Sequence, residues 1–416
     1  MQPRRGCCET NKRGMPISLN TMQIGIVGKP NVGKSTFFSA ATQSNVEMAP
    51  YPFTTIKANR GIGYVRGRCP EADFGVKCNP NNASCVDGTR FIPVELLDVA
   101  GLVPDAWKGK GLGNAFLDEL RQADALIHVV DASGGTDADG NQVPVGTRDP
   151  VDDVRFLERE LTMWIKSILD KNFQKTAKKI HLEGLKVEAM LQERLSGLGV
   201  TQGDISAAMR ATNPGADPSL WSDADLLRLS DAIRKISKPM IIVANKADIA
   251  PDENIRRLRE ASGYEIVPCA AEYELALRRA SKAGAIAYRP GDSAFKILSS
   301  SLNEKQQHAL GRISSFLSHS DTGVQRALEV AAFKLLSLVS VYPVEDENAL
   351  TNHDGMVLPD AFLLRKGSGP QDLAYRIHTD IGRNYITAVN ARTKKPVGHD
   401  YEIKDGDVIK IVAKRS

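Results

Sequence analysis

Residues Gly28-Lys29-Pro30-Asn31-Val32-Gly33-Lys34-Ser35 fit the pattern G-x-x-x-x-G-K-[ST], and no other stretch of the chain constrains its fold as strongly. The flanks agree. Gln23-Ile24-Gly25-Ile26-Val27 is a short apolar run suited to a strand, and Ser35 to Ala41 can open a helix. A strand, a glycine-rich turn and a helix N-terminus together aim backbone N–H groups and a positive dipole end at phosphate. The residues expected around the phosphates are Asn31, Val32, Gly33, Lys34, Ser35 and Thr36. Lys34 should reach the β- and γ-phosphates, and the Ser35 hydroxyl should ligate Mg²⁺. A glycine turn matching by chance is the alternative, and the flanks argue against it.

A phosphate loop does not choose between guanine and adenine, so the base-reading residues decide. Pro239 to Ala244 is a buried-strand run that ends in Asn245-Lys246-Ala247-Asp248. Guanine offers two donors, N1–H and the 2-amino group, and the Asp248 carboxylate can accept both. Adenine presents an acceptor at N1, which would face a desolvated charge. Asn245 is expected to brace the phosphate loop, and the Lys246 stem to pack on the ring face. A second strand, Tyr264 to Val267, leads into Pro268-Cys269-Ala270-Ala271. There a backbone N–H of Ala271, or of its neighbour Ala270, can meet guanine O6.

Between these motifs, Val94 to Val99 is a strand leading into Asp98-Val99-Ala100-Gly101, a D-x-x-G sequence. Asp98 should hold Mg²⁺ through water, and the Gly101 N–H should sense the γ-phosphate. Thr54 and Thr55 follow Tyr51-Pro52-Phe53, where a switch threonine belongs, and Thr55 is the expected second Mg²⁺ contact. Lys34, Thr55 and Gly101 are the candidate catalytic groups; Ser35, Thr55 and Asp98 are the candidate metal ligands. A turn threonine after proline is the plainer reading of Thr55.

With these residues quoted, the chain from about Met22 onward resembles the Obg-type translation-factor GTPases, and within them the YchF group, closest to its archaeal branch. The match rests on the phosphate loop, Tyr51-Pro52-Phe53-Thr54-Thr55, Asp98-Val99-Ala100-Gly101-Leu102-Val103-Pro104 and the layout downstream. The resemblance implies a GTP-binding, GTP-hydrolysing molecular switch, ribosome- or RNA-associated, with a helical insert in its GTPase domain and a C-terminal TGS module. Bacterial and eukaryotic relatives carry an N-x-x-E variant and accept ATP; the intact Asn245 to Asp248 argues for GTP. Ras-type GTPases place a water-orienting glutamine where this chain has Leu102, so slow intrinsic turnover is expected, on the order of 10⁻⁴ to 10⁻² s⁻¹. Asn31 could hold a K⁺ ion that supplies arginine-finger charge, or could merely cap the turn. A factor in which GTP is structural and hydrolysis incidental, or in which ATP is accepted, is the competing reading.

A 42% hydrophobic content with 25% charged residues is globular, and a net charge of +4 over 416 residues does not announce nucleic acid. No apolar run is long enough for a membrane span, so a cytoplasmic protein without membrane contact is expected. The sequence leaves the oligomeric state open, with a monomer as the default. Residues 1–21 read as a disordered extension, as an over-called start with Met15 or Met22 as initiator, or as a nucleic-acid-touching arm. Cys69, Cys78 and Cys85 fall between Thr55 and Asp98. Zinc favours four ligands in close pairs. Three widely spaced cysteines, with Glu71 or Asp73 as the only fourth donor, read instead as free thiols in a hairpin loop. Cys269 reads as a small buried residue.

The expected fold is α/β: a P-loop GTPase domain with a mainly parallel sheet (22–149 and 236–337), an inserted helical, coiled-coil-like arm (150–235), and a ubiquitin-like β-grasp TGS domain (338–416). Asp149 and Pro150 open the first insert helix, with Val154, Leu157, Leu161, Trp164 and Ile168 on one face. A second helix is expected from Thr176 to Leu195. In the tail, strands at Val339–Val344, Ala361–Leu364, Asn384–Val389 and Val408–Val412 surround one helix, the β-grasp pattern. Arg365, Lys366, Arg392, Lys394, Lys395, Lys404 and Lys410 read either as solvated surface charges or, as the resemblance to TGS modules implies, as RNA contacts, with Tyr385 and Tyr401 as stacking rings or core residues.

Overall fold

A computed structural model describes residues 22–43, 60–99, 101, 107, 113–398 and 400–414. The expectations for 1–21, Thr54, Thr55 and Leu102 lie outside the described residues. The main sheet has seven strands: β1 (Gln23–Val27), β2 (Arg60–Arg68), β3 (Ser84–Val86), β4 (Thr89–Asp98), β5 (Ala125–Asp131), β6 (Met240–Asn245) and β7 (Ile266–Pro268). Their order is β2-β4-β1-β5-β6-β7, with β3 beside β4. Pairs from β4 through β7 are parallel, and β2 and β3 run antiparallel to β4. β1, β5 and β6 are apolar runs buried along their whole length, as parallel strands covered on both faces must be. Register pairs Ile26 with Asp98 and Asp131 with Asn245, so the C-terminal ends of β1, β4, β5 and β6 meet at one edge.

Helices α1 (Lys34–Thr42), α2 (Glu71–Phe74) and α3 (Gly113–Gln122) connect the first strands. The insert then contributes α4 (Pro150–Asp170), α5 (Phe173–Glu183), α6 (Val187–Leu195), α7 (Gln202–Thr212) and α8 (Asp223–Ser237). Asp149 caps α4 by accepting from the Val151 N–H at 3.0 Å, with Pro150 at its first position. The single helix expected over Thr176–Leu195 is two helices. Gly184 adopts φ 64°, caps α5 through the Ile180 and His181 carbonyls, and interrupts the coiled-coil-like seam. α7 fills a stretch where Gly197, Gly199, Pro214 and Pro218 predict chain breaks and no helix. A reciprocal Thr201–Asp204 cap starts it. One apolar core joins the insert, from Val154 and Trp164 to Trp221 and Ile233, with Leu126, Val130, Met240 and Ile242 of the sheet.

Beyond β6 come α9 (Asp252–Ala261), α10 (Ala271–Lys282), a hairpin of β8 (Ile286–Ala287) and β9 (Lys296–Ile297) around Pro290-Gly291, α11 (Glu304–Leu317) and α12 (Val324–Glu329). α12 runs into a π-helical turn, Val330–Leu335. The C-terminal sheet has five strands, β10 (Leu338–Val344), β11 (Phe362–Arg365), β12 (Tyr385–Asn390), β13 (Lys395–Val397) and β14 (Asp407–Ala413), ordered β11-β10-β14-β12-β13. The central β10–β14 pair is parallel, and α13 (Pro370–Ile377) and α14 (Thr379–Arg383) connect β11 to β12. This is a β-grasp.

The C-terminal domain is docked on the first one. Asn82 donates to the Ala361 carbonyl and accepts from its N–H at 3.1 and 2.9 Å. The Asn79 and Asn81 N–H groups donate to the Val357 and Pro359 carbonyls. A second core unites α1, α12 and the other sheet face with Leu338, Tyr342, Leu358, Ala361 and Val408. Of the candidate RNA-contacting cations, Arg365 pairs with Asp124 and Arg392 with Asp73, both across the domain junction, and Lys410 pairs with Glu347. Lys394 also donates to the Glu347 carbonyl. That part of the expected surface is engaged in the fold. The Tyr401 hydroxyl donates to Asp407 at 2.7 Å and accepts from Asn390, while Tyr385 packs on the domain's apolar core.

Candidate functional site: the phosphate loop and its base-side rim

The phosphate loop turns where side chains cannot. A Cβ on Gly28 would lie 2.5 Å from the Val129 carbonyl oxygen. Gly33 has φ 92°, and a Cβ there would lie 2.2 Å from the Asn245 amide nitrogen. α1 opens directly after Gly33 with no acidic residue in its first turn, so its positive end is uncompensated. Ser35 is exposed there. Lys34 Nζ lies 2.9 Å from Asp98 Oδ1 and donates to the Val99 carbonyl at 2.7 Å. Gly101 lies beside Pro30, whose Cγ a Cβ would meet at 3.6 Å. Lys34, Ser35, Asp98 and Gly101 are therefore gathered around the loop. The Ser35 hydroxyl and Asp98 carboxylate offer the hard oxygen donors that Mg²⁺ takes.

On the base side, Asn245 ends β6 and bridges two loops. Its Nδ2 donates to the Val32 carbonyl at 2.8 Å, and its Oδ1 accepts from the Ala271 N–H at 3.1 Å. Lys246, at φ 60°, forms a 2.8 Å ion pair with Asp131 at the end of β5. Asp131 also accepts from the Ser133 N–H and hydroxyl, which fixes the Lys246 stem. Asp248 sits half-buried on the following turn, and its carboxylate has no hydrogen bond or ion pair among the described residues. The expected contact of the Ala270 or Ala271 N–H with guanine O6 is not available in this arrangement. The Ala271 N–H is taken by Asn245, and the Ala270 N–H donates to the Thr322 carbonyl at 2.9 Å, so neither points free toward guanine O6. Cys269 beside them is fully buried, which pushes its thiol pKa well up.

The loop after β5 is a part of the site that sequence reasoning missed. Asn31, at φ 62°, donates through Nδ2 to the Gly140 carbonyl at 2.9 Å. Lys29 donates to the Thr136 carbonyl at 3.1 Å and pairs with Asp153 of α4 at 2.8 Å. Burial pushes the Asp153 carboxyl up, against the pull of Lys29. Gly140 has φ 88°, and its Cβ would meet the Pro30 carbonyl at 2.7 Å. The loop contributes through the Thr136 and Gly140 carbonyls, backbone groups that leave no side-chain pattern in the sequence.

A family model for 50S ribosome-binding GTPases matches residues 23–164, one for the Obg-like GTPase YGR210-like G4 motif-containing domain matches 243–346, and one for the TGS domain matches 352–413. An uncharacterized GTP-binding protein of Methanocaldococcus jannaschii, MJ1332, is 52% identical over 395 residues, covering 94% of this chain and 98% of that one. The chain belongs to the Obg-like YchF family of GTPases. The crystal structure of a GTP-binding protein from Pyrococcus horikoshii OT3 aligns with a TM-score of 0.73 at 44% identity, over 94% of this chain and 100% of that one. The ribosome-binding ATPase YchF of Bacillus subtilis is 29% identical over 413 residues, 92% of this chain and 97% of its own. As a member of this family the chain binds GTP and hydrolyses it. Among the described residues no helix is long and apolar enough to cross a membrane.

Proposed function

We propose that this GTPase is a guanine-selective, Mg²⁺-dependent cytoplasmic switch that acts, as a monomer, on the ribosome. The observation that carries guanine selectivity is the uncommitted Asp248 carboxylate, one turn beyond an Asn245 that bridges the phosphate loop to the β7 loop. Asp248 accepts guanine N1–H and the 2-amino group, Ser35, Thr55 and Asp98 hold Mg²⁺ directly or through water, and Lys34 leaves Asp98 for the phosphates. Ribosome contact is supported by what the Bacillus subtilis relative is named for; that relative is also named an ATPase, so nucleotide choice is the first test. By calorimetry GTP should bind at least tenfold more tightly than ATP, about 1.4 kcal/mol. Equal affinities would sink the reading of Asp248. Asp248→Glu should narrow the gap, and Lys34→Ala should abolish tight triphosphate binding. Ribosome co-sedimentation should differ between GDP and a non-hydrolysable GTP analogue. Nucleotide-independent sedimentation without ribosome-stimulated turnover would favour the reading in which GTP is structural.

Asn31 bears on rate. Its Nδ2 is spent on Gly140, which leaves Oδ1 to hold a K⁺ ion beside the phosphates. Since Leu102 cannot orient water, such an ion should raise GTP turnover roughly 10-fold or more over Na⁺. Equal rates in matched KCl and NaCl, for parent and Asn31→Ala alike, leave Asn31 as a turn cap.

A further inference from the structure

Far from the phosphate loop, three sulfurs and a carboxylate meet at one point. Cys69 follows β2, Glu71 opens α2, Cys78 lies in the loop beyond it and Cys85 sits on β3. One ligand atom from each lies within 4.8 Å of all the others. Cys69 is buried and the other three are half-buried. The Cys78 N–H donates to Glu71 Oε2 at 3.0 Å, orienting the carboxylate, whose Oε1 lies 3.6 Å from Cys85 Sγ. Tetrahedral zinc with Zn–S near 2.3 Å separates its thiolates by about 3.8 Å, so the four groups are at the right scale. A multi-iron cluster spreads its thiolates over several metals and fits this spacing poorly. Asp73, the other fourth donor considered, is occupied by Arg68 and Arg392.

A buried cation next to the cluster gives an independent reason. Arg90, opposite Cys85 in the β3–β4 register, is fully buried. It donates to the Leu358 carbonyl at 2.6 Å, lies 3.8 Å from Cys69 Sγ and stands over the Tyr342 ring. Its Nε and Nη1 have no hydrogen-bond partner, and no carboxylate pairs with it among the described residues. The Glu71 and Asp360 carboxylates act on this guanidinium only from a distance, and burying a charge without a close partner is costly. Zinc held by three thiolates and a carboxylate carries net negative charge and would supply a counter-ion beside it. Thiols alone would not.

We propose that Cys69, Cys78, Cys85 and Glu71 form a structural zinc site that clamps the 69–85 segment, the surface on which the C-terminal domain docks. All four positions of the tetrahedron are filled by protein, which leaves no room for substrate and makes the role structural. The neighbouring Asn79, Asn81 and Asn82 hold Val357, Pro359 and Ala361, so the metal fixes the seat of β11.

The test uses the full chain. Mass-spectrometric metal analysis after equilibration with zinc and gel filtration should find about one zinc per chain. Cobalt should replace it with the thiolate charge-transfer and tetrahedral d–d bands. Cys78→Ser and Cys85→Ser should lose the bands while GTP affinity and circular dichroism persist; Asp73→Asn, in the same turn, should keep them. Should the serine variants fail to fold, the parent stripped by chelator and refilled with cobalt gives the same reading. Chelation should also speed amide exchange across 357–364 by roughly tenfold or more. Less than about one zinc in ten chains, alkylation of Cys69, Cys78 and Cys85 after zinc loading as fast as in the metal-stripped chain, or a disulfide between two of these three would each overturn the assignment.

Discussion

Replacing Asn245 by Asp separates a hydrogen-bonding account of the base-side rim from a packing one. Asn245, Val32 and Ala271 are 3%, 0% and 1% exposed, so the two bonds that Asn245 makes are shielded from water. Asn245→Ala leaves the Val32 carbonyl and the Ala271 N–H unpaired, each worth about 1–3 kcal/mol when buried. Water entering the space vacated recovers part of that, and a loss of about 2–4 kcal/mol of stability is expected. Asn245→Asp removes no volume and keeps the acceptor for Ala271. It turns the donor facing Val32 at 2.8 Å into a second acceptor and buries a charge. It should therefore destabilise at least as much as alanine. Because Val32 belongs to the phosphate loop, both variants should weaken GTP by roughly 30- to 1,000-fold, the same energy expressed as affinity. Urea unfolding of the nucleotide-free chain and calorimetric GTP titration give the two numbers. An Asp variant milder than the Ala variant by more than about 1 kcal/mol, or a GTP affinity within about threefold of the parent, refutes the reasoning.

Gly33→Ala drives a methyl against the Asn245 amide, so it should weaken GTP by at least about 30-fold and be clearly non-additive with Asn245→Ala in a double-mutant cycle; additivity would mean the two do not share a contact. Glu274 is fully buried and accepts from Arg278 at 2.6 Å, from the Tyr288 hydroxyl at 2.7 Å and from Thr322. Glu274→Ala strands a buried guanidinium and should lower urea stability by about 3–5 kcal/mol; a loss below about 1 kcal/mol contradicts this. Burial, with a smaller push from Lys29, holds the His128 imidazole down at about 3. The unfolded chain, with an ordinary value near 6.5, takes up a proton that the folded chain refuses. Stability is thus full above about pH 6.5 and falls as pH drops toward 3, by roughly 2 kcal/mol at pH 5. His128→Leu should flatten that slope between pH 6.5 and 5, and an unchanged slope places the acid sensitivity elsewhere. Asn82→Ala removes both bonds to Ala361 and should raise amide exchange along β11 by roughly 10- to 100-fold; unchanged exchange would mean that docking rests on apolar contacts alone.

What could be read in advance was local. The phosphate loop, the Asp98 strand and the Asn245 turn each combine a buried apolar run with a short polar sequence, and both signals lie within a dozen residues. The expected strand at Val339–Val344 appears as Leu338–Val344, and that at Val408–Val412 as Asp407–Ala413, because apolar runs between turn residues leave little freedom. The break at Gly184 was visible as a glycine but not as a helix end, since helical periodicity continues on both sides. α7 carried its own legible start in Thr201 and Asp204, which the surrounding glycines and prolines outweighed. The Ala271 N–H and the Gly140 carbonyl are backbone groups whose partners sit far along the chain. Cys69, Cys78 and Cys85 failed the spacing rule for metal because an antiparallel register, and not a short loop, brings them together.

Because Leu338, Tyr342, Leu358 and Ala361 complete the same apolar core as Ile24, Phe37 and Leu96, the domain boundary expected at about residue 338 has no counterpart in the packing. A chimera that takes its C-terminal domain from a relative would bring new side chains against an old seat: Arg90 under Leu358, Asn82 under Ala361, Arg68 under Tyr342. The unit that can be exchanged intact therefore includes residues 68–92 along with the tail. What evolution can shuffle here is the tail and its socket together.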